Sequence, residues 1–373
     1  MSCACGDQWI IEACDLRTGR VRAVLHPTSF DFQSALNRVA PGNLSLVTRE
    51  IRARDIWPHL TSVYISRIAG GSASPNNRIC EWAGIIEKAT PSDNNATAVG
   101  MQSINEYLHH RLIGMNGTPG LSFTNISQTE IGAALVDAAR SNGIPLDAIA
   151  DTSTRRRNRD YPGYERKNIG EAIEELTAVI DGVDYELIHT REDGAWRTTV
   201  LFRDYVGANR NMIIQSDREA AGYGLDIDAQ NHATYVDAMG AGEETSQLTA
   251  HAEDAENIYP RFDAAPAWQD VSIASTLISH ARGYVEENRE PIAIPSATIR
   301  GLDPDPAQLR NGDTVEARIN FGAVTFNGDA RIISTSWAVT PDGPASRTYE
   351  LSPITRASQS VLNQQPTEHC EDC

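Results

Sequence analysis

Lysine is almost missing from this chain. Among its 32 basic residues only Lys88 and Lys167 are lysines, and the rest are arginines. A codon bias toward arginine is a plainer cause than any structural one. Basic charge is short altogether, with 50 acidic residues against 32 and a formal net charge of -18. That excludes a surface that wraps nucleic acid, which needs a net basic face. A conduit for DNA stays open, because an acidic wall repels phosphate and keeps the polymer from sticking. Aromatic residues make up 6%, thin support for the exposed ring platforms of a glycan- or receptor-binding module. No apolar run approaches the ~20 residues of a membrane span. The opening MSCACGDQWI has neither the basic nor the apolar part of a secretory leader, so synthesis and folding in cytosol are expected. Disulfides are not the default there.

Catalytic signatures are missing as well. No H-E-x-x-H, no G-x-S-x-G and no defensible Cys–His–Asn set occurs, and MGAGEETS lacks the Lys-Ser/Thr ending of a phosphate loop. Two of the pairs of acids, in DIDAQN (Asp226–Asn231) and DPDP (Asp303–Pro306), do not continue into a calcium loop and read as turns. His109 and His110 close a helical segment with no further ligand nearby in sequence; a helix C-terminus, favourable to partial positive charge, accounts for them.

With 40% hydrophobic residues over 373 positions, the chain supports about two to four packed units. Residues 1–117 read as a first β unit of short strands, among them RVRAVLH, LSLVTRE, SVYISRI, WAGIIEKAT and TAVGM, followed by a helical SINEYLHHRLI. Residues 118–219 change period to an α+β insert. In it, SQTEIGAALVDAARSNG is a helix with capping-box spacing at Ser127 and Glu130, and NIGEAIEELTAVIDG repeats the design with Asn168 as N-cap. Between them TSTRRRNRDYPGYERKN reads as a loop, its arginines solvated or paired with an acidic neighbouring subunit. Asp193–Gly194 marks a hairpin. Residues 220–355 hold one amphipathic helix, with Ile273, Leu277, Ile278, Ala281 and Val285 on one side, and then a second β unit. Its expected turns are Asn327–Gly328 and Asp342–Gly343. Residues 356–373 read as a polar tail.

The succession of segments resembles the tail hub (baseplate hub or tail-tip minor tail) proteins of long-tailed siphophages, in the actinobacteriophage form. The residues that carry the likeness are LHPTSFDFQSALNRVAPGNLSL, WAGIIEKA, SINEYLHHRLI, YERKNIGEAIEELTAVIDGVDYEL, and LRNGDTVEARINFG followed by ARIISTSWAV. They span roughly Cys14 to Ile354. The resemblance implies a virion protein rather than an enzyme: a homotrimer at the distal end of the tail tube, made in the host cytoplasm. Two tube-like β-barrel or sandwich domains per chain would flank the α+β insert and build a pseudo-hexameric ring. That ring would adapt the six-fold tail to a three-fold tip and line part of the DNA ejection channel, with DNA passing through unbound. Implied partners are the distal tail protein, a fibre or receptor-binding tip protein and the tape-measure protein. The competing readings are a metal-dependent hydrolase of cell-wall polymer and a receptor- or glycan-binding module.

Four of the six cysteines, Cys3, Cys5, Cys370 and Cys373, sit at the two chain ends. C-x-C and C-x-x-C pairs suit a compact four-sulfur site, so a structural zinc is the expectation. An iron–sulfur cluster, end-to-end disulfides and idle thiols are the alternatives. His369 and Cys14 are spare ligands, and Cys80 reads as a buried thiol.

Overall fold

The computed structural model describes residues 8–68, 78–141, 143–179, 181–215, 222–242, 246–255, 258–269, 271, 274–300, 309–320, 325–340 and 345–353. The opening stretch folds into seven antiparallel strands: β1 (Gln8–Asp15), β2 (Val21–Leu25), β3 (Ser29–Ala35), β4 (Pro41–Val47), β5 (Thr61–Ile68), β6 (Arg78–Pro91) and β7 (Ala96–Ser103). The alternating SVYISRI predicts a half-buried strand, yet every residue of β5 is buried. The reason is that two cores meet across it. Val63 and Ile65 pack into an aromatic-rich core with Phe30, Phe32, Trp82 and Trp337. Tyr64, between them, points to the opposite face and packs with the insert, stacked on Trp196 at 4.8 Å. The expected helix over SINEYLHHRLI shrinks to α1 (Glu106–His109).

The insert comprises β8 (Leu121–Ser127), α2 (Gln128–Ala139), β9 (Leu146–Ala150), β10 (Arg156–Tyr161), α3 (Ile169–Thr177), β11 (Asp184–Glu192) and β12 (Ala195–Arg203). Both helices stand where the apolar period puts them, but their starts differ. Asn168 caps α3 as expected, accepting from the Glu171 amide at 3.2 Å. Ser127 makes no cap bond; its hydroxyl is turned to Thr129 Oγ1 at 2.7 Å. The arginine-rich segment is not all loop, because its middle third is strand β10, paired with β8. Its arginines serve their own chain: Arg155 and Arg157 donate to the Asp181 carbonyl just beyond α3. Asp193 and Gly194 make the expected tight hairpin, at φ 49° and 77°.

The third stretch begins with β13 (Asn209–Gln215) and β14 (Gly222–Asp228), so of the expected turn over Asp226–Asn231 the first half is strand and Gln230 and Asn231 form the turn. A small unit follows that the sequence reading did not resolve: β15 (Tyr235–Met239), β16 (Thr249–Glu253) and β17 (Asp263–Ala264) under α4 (Ala274–Asn288). Leu277, Ala281 and Val285, at helical spacing, close its core, while Ile278 is exposed. The closing strands are β18 (Ile292–Arg300), β19 (Thr314–Asn320), β20 (Thr325–Val339) and β21 (Ser346–Pro353). Asn327 and Gly328 lie inside β20, opposite Arg318 and Ala317, and not in a turn.

The two β regions keep separate cores, but their strands are hydrogen-bonded into one another. They join one 13-stranded sheet in the order β14-β18-β21-β20-β3-β4-β7-β6-β5-β1-β2, with β19 and β13 branching from β20, and among the described residues the order does not close. The cause is the length of β20. Its first half pairs with β19 and its second half with β3, Trp337 opposite Phe32. Phe326, Ala330 and Ile332 then fill the core of the second β region, and Trp337 fills that of the first.

Candidate functional site

The residues quoted for the family likeness lie far apart in sequence, and many of them converge on Asp184. This aspartate opens β11 and is 5% exposed. One carboxylate oxygen accepts from Asn37 Nδ2 at 2.7 Å, and Asn37 Oδ1 accepts the Tyr185 amide at 2.9 Å. Asn37 sits at φ 58° in the turn after β3, a conformation asparagine tolerates better than most residues. The other oxygen accepts the Val206 amide at 2.9 Å and Arg331 Nη2 at 2.6 Å. Arg331 also donates to the carbonyls of Val206 and Gly312, and its guanidinium lies 4.1 Å from the Tyr205 ring centre.

Asp313, fully buried, is the companion acid. It accepts the amides of Ala208 and Arg310 and pairs with Arg210 Nε at 2.7 Å. Gly312, before it, holds φ 93°; a Cβ there would stand 2.3 Å from the Val206 carbonyl oxygen. Only glycine fits that approach. The first β region, the insert and the second β region are therefore locked at one buried polar junction. Asp184, Asp313 and Arg331 each have multiple partners there, which is the condition under which buried charge holds a geometry.

A second junction fixes the insert hairpin to the first strands. Glu12, 3% exposed, accepts from Arg78 Nη2 at 2.6 Å and from Trp196 Nε1 at 2.8 Å, with Arg191 at 3.3 Å. A cleft of about 330 Å3 opens between the insert and the sheet, with Arg67, Glu81, Glu186, His189, Trp337 and Arg347 on its walls. Its two carboxylates are engaged, Glu81 by Arg67 at 2.8 Å and Glu186 by Arg203 at 2.9 Å. Burial pushes the His189 imidazole down to about 4.

The four terminal cysteines lie outside the described residues, as does His369. Cys14 and Cys80 are inside, on β1 and β6, and both are free thiols. Burial pushes each up to about 12, so Cys14 is poorly suited to the ligand role held open for it, which needs a thiolate. Besides the branch that ends in β13, the sheet has two ends. At the start of β2 the Gly194 carbonyl of the insert accepts the Val21 amide. Among the described residues no strand pairs with the outer edge of β14, where Tyr223 and Ile227 are 40% and 52% exposed.

No family model matches the chain, and no curated protein sequence does. Solved structures do. A tail protein from Neisseria meningitidis MC58 is similar over 94% of this chain and 97% of its own, with a TM-score of 0.59 at 12% identity. The 43 kDa tail protein of prophage MuSo2 from Shewanella oneidensis is similar over 93% and 98%, with a TM-score of 0.60 at 12% identity. The chain has the tail-protein fold. The E. coli c3393 protein, a type VI secretion component described as structurally similar to T4 tail proteins gp27 and gp5, matches over 93% of this chain and 77% of its own, with a TM-score of 0.50 at 11% identity. All three are components of tails or of a secretion system, and none is described as an enzyme. At such identity side chains have diverged almost throughout, and what persists is the arrangement of strands.

Sequence reasoning found the letters of the Asp184 junction without their role. Asn37, Asp184, Asp313 and Arg331 each stood inside a quoted motif; nothing local says that they touch. Glu12 and Trp196 were missed, and their pairing carries no sequence signal.

Proposed function

We propose that this chain is the tail hub of a siphophage: a homotrimer at the distal end of the tail tube, in the virion, adapting six-fold tail to three-fold tip and forming part of the DNA ejection channel. The observation that carries the reading is the tail-protein fold over nine-tenths of the chain, and the likeness to the c3393 protein, described as similar to T4 tail proteins gp27 and gp5, supports it. The edge of β14, which no strand pairs among the described residues and which carries exposed apolar residues, supports assembly by sheet edges, as a ring of subunits requires. The net charge of -18 supports passage of DNA without binding. The partners of such a hub are the distal tail protein, the tape-measure protein and a fibre or receptor-binding protein. A structural zinc on Cys3, Cys5, Cys370 and Cys373 belongs to the same reading as a means of pinning both chain ends.

Mass photometry of the purified chain and an image of the virion tip test it. A trimer forming a three-fold ring around a channel supports the hub. A monomer that releases sugars or peptides from cell-wall polymer would sink it in favour of the hydrolase. The arginine partners of Glu81 and Glu186 weigh against that alternative, because a general acid or base needs an uncommitted carboxyl at the scissile bond.

A further inference from the structure

His110 has neighbours that its sequence surroundings do not disclose. The loop before β5 carries His59, and β6 carries Glu87. His59 Nε2 lies 3.0 Å from Glu87 Oε2, the rings of His59 and His110 are 5.4 Å apart, and one donor atom from each of the three residues lies within 4.8 Å of the others. Two local irregularities bring them there. His59 adopts φ 56° and donates its amide to the Ile86 carbonyl at 3.0 Å. Glu87 is the extra residue where the β6–β7 register slips, Ile86 facing Met101 and Lys88 facing Gly100. Such a bulge re-aims a side chain. The second oxygen, Glu87 Oε1, is shielded from solvent and has no hydrogen-bond partner. An unsatisfied carboxylate oxygen beside two imidazoles is costly unless a cation completes it. Glu106 Oε1, one helical turn before His110, lies 3.5 Å from His110 Nε2, the place of an orienting carboxylate behind a metal-bound histidine.

We propose that His59, Glu87 and His110 bind a divalent transition metal of the zinc class, with a fourth position open to solvent. Two imidazoles and one carboxylate match the donor set of zinc and exclude the all-oxygen preference of calcium and magnesium. Ligands of a tetrahedral zinc stand about 3.4 Å apart at bond lengths near 2.1 Å, and rotation of these partly exposed side chains closes the triangle. The ion would clamp the segment leading into the insert, through His110, to the first β region. It is independent of the terminal cysteines and of the tail reading.

The test uses the full chain with Cys3, Cys5, Cys370 and Cys373 replaced by serine, titrated calorimetrically with zinc chloride and spectroscopically with cobalt(II). The expected result is one bound equivalent and visible cobalt bands without the near-ultraviolet absorption of a thiolate ligand. His59→Asn, which tolerates the left-handed backbone, and His110→Gln should each weaken binding at least tenfold with unchanged circular dichroism. Glu106→Gln should weaken it up to about tenfold, in the range expected of an outer partner. His109→Gln, at the adjacent histidine, should leave it unchanged. No stoichiometric zinc in the serine-substituted chain, or equal affinity in the His59 and His110 variants, overturns the site.

Discussion

Asp184 shows how much one residue holds. Its carboxylate is shared by three parts of the chain, and each partner would lose its match if it were truncated. Asp184→Ala leaves Arg331 buried without its counter-ion, and removing one partner of such a pair costs about 3–5 kcal/mol. Denaturant unfolding should show that loss as a lower midpoint with little change in slope. A loss under 1 kcal/mol would mean that the junction is not a fastening. His189 makes a pH-dependent contribution. Its imidazole ionises at about 4 in the fold, against about 6.5 when unfolded. The unfolded chain therefore binds the extra proton between these values, and stability falls as pH drops from 6.5 toward 4. The loss is on the order of 3 kcal/mol. His189→Phe should flatten that part of the stability–pH curve, read from denaturant midpoints at pH 7 and pH 4.5. An unchanged slope would assign the acid sensitivity to other groups.

At the scale of elements, caps and edges make separable predictions. Asn168 both caps α3 and donates to the His109 carbonyl, so Asn168→Ala should lower stability by about 1–2 kcal/mol. Asn168→Asp keeps the acceptor and should recover part of that. Equal losses for the two would show that the donor bond alone matters. Strand β14 is predicted to meet another copy. If the proposed trimer assembles through this edge, Ile227→Lys, on the exposed side of that strand, should shift it toward monomer at micromolar concentration while leaving circular dichroism intact, since charge on an edge discourages pairing. A trimer of unchanged mass-photometry profile would place the subunit contact elsewhere.

The whole molecule is organised by β20, which carries residues of two cores on one strand. Trp337 is 3% exposed and sits between the guanidinium groups of Arg67 and Arg347, at 5.5 and 4.8 Å. Trp337→Ala should cost about 3–5 kcal/mol, and hydrogen exchange should rise in β3 and β19 together. Loss of protection confined to β3 would mean that the two β regions open independently.

Local order was set by the sequence. Apolar period placed α2, α3 and α4, turn chemistry placed the Asp193–Gly194 hairpin, and runs of β-branched residues placed β2, β5, β6 and β7. These are short-range effects, decided within a few residues of the chain. Tertiary structure decided the remainder. It buried both faces of β5, turned the middle third of the arginine-rich segment into β10, absorbed Asn327–Gly328 into a strand, and joined the strands of the two β regions into one sheet. It also assembled the Asp184 junction and the His59–Glu87–His110 cluster. The reason is the same in each case: partners tens to hundreds of residues apart contribute nothing to local periodicity, and their energy exists only once the chain has brought them together.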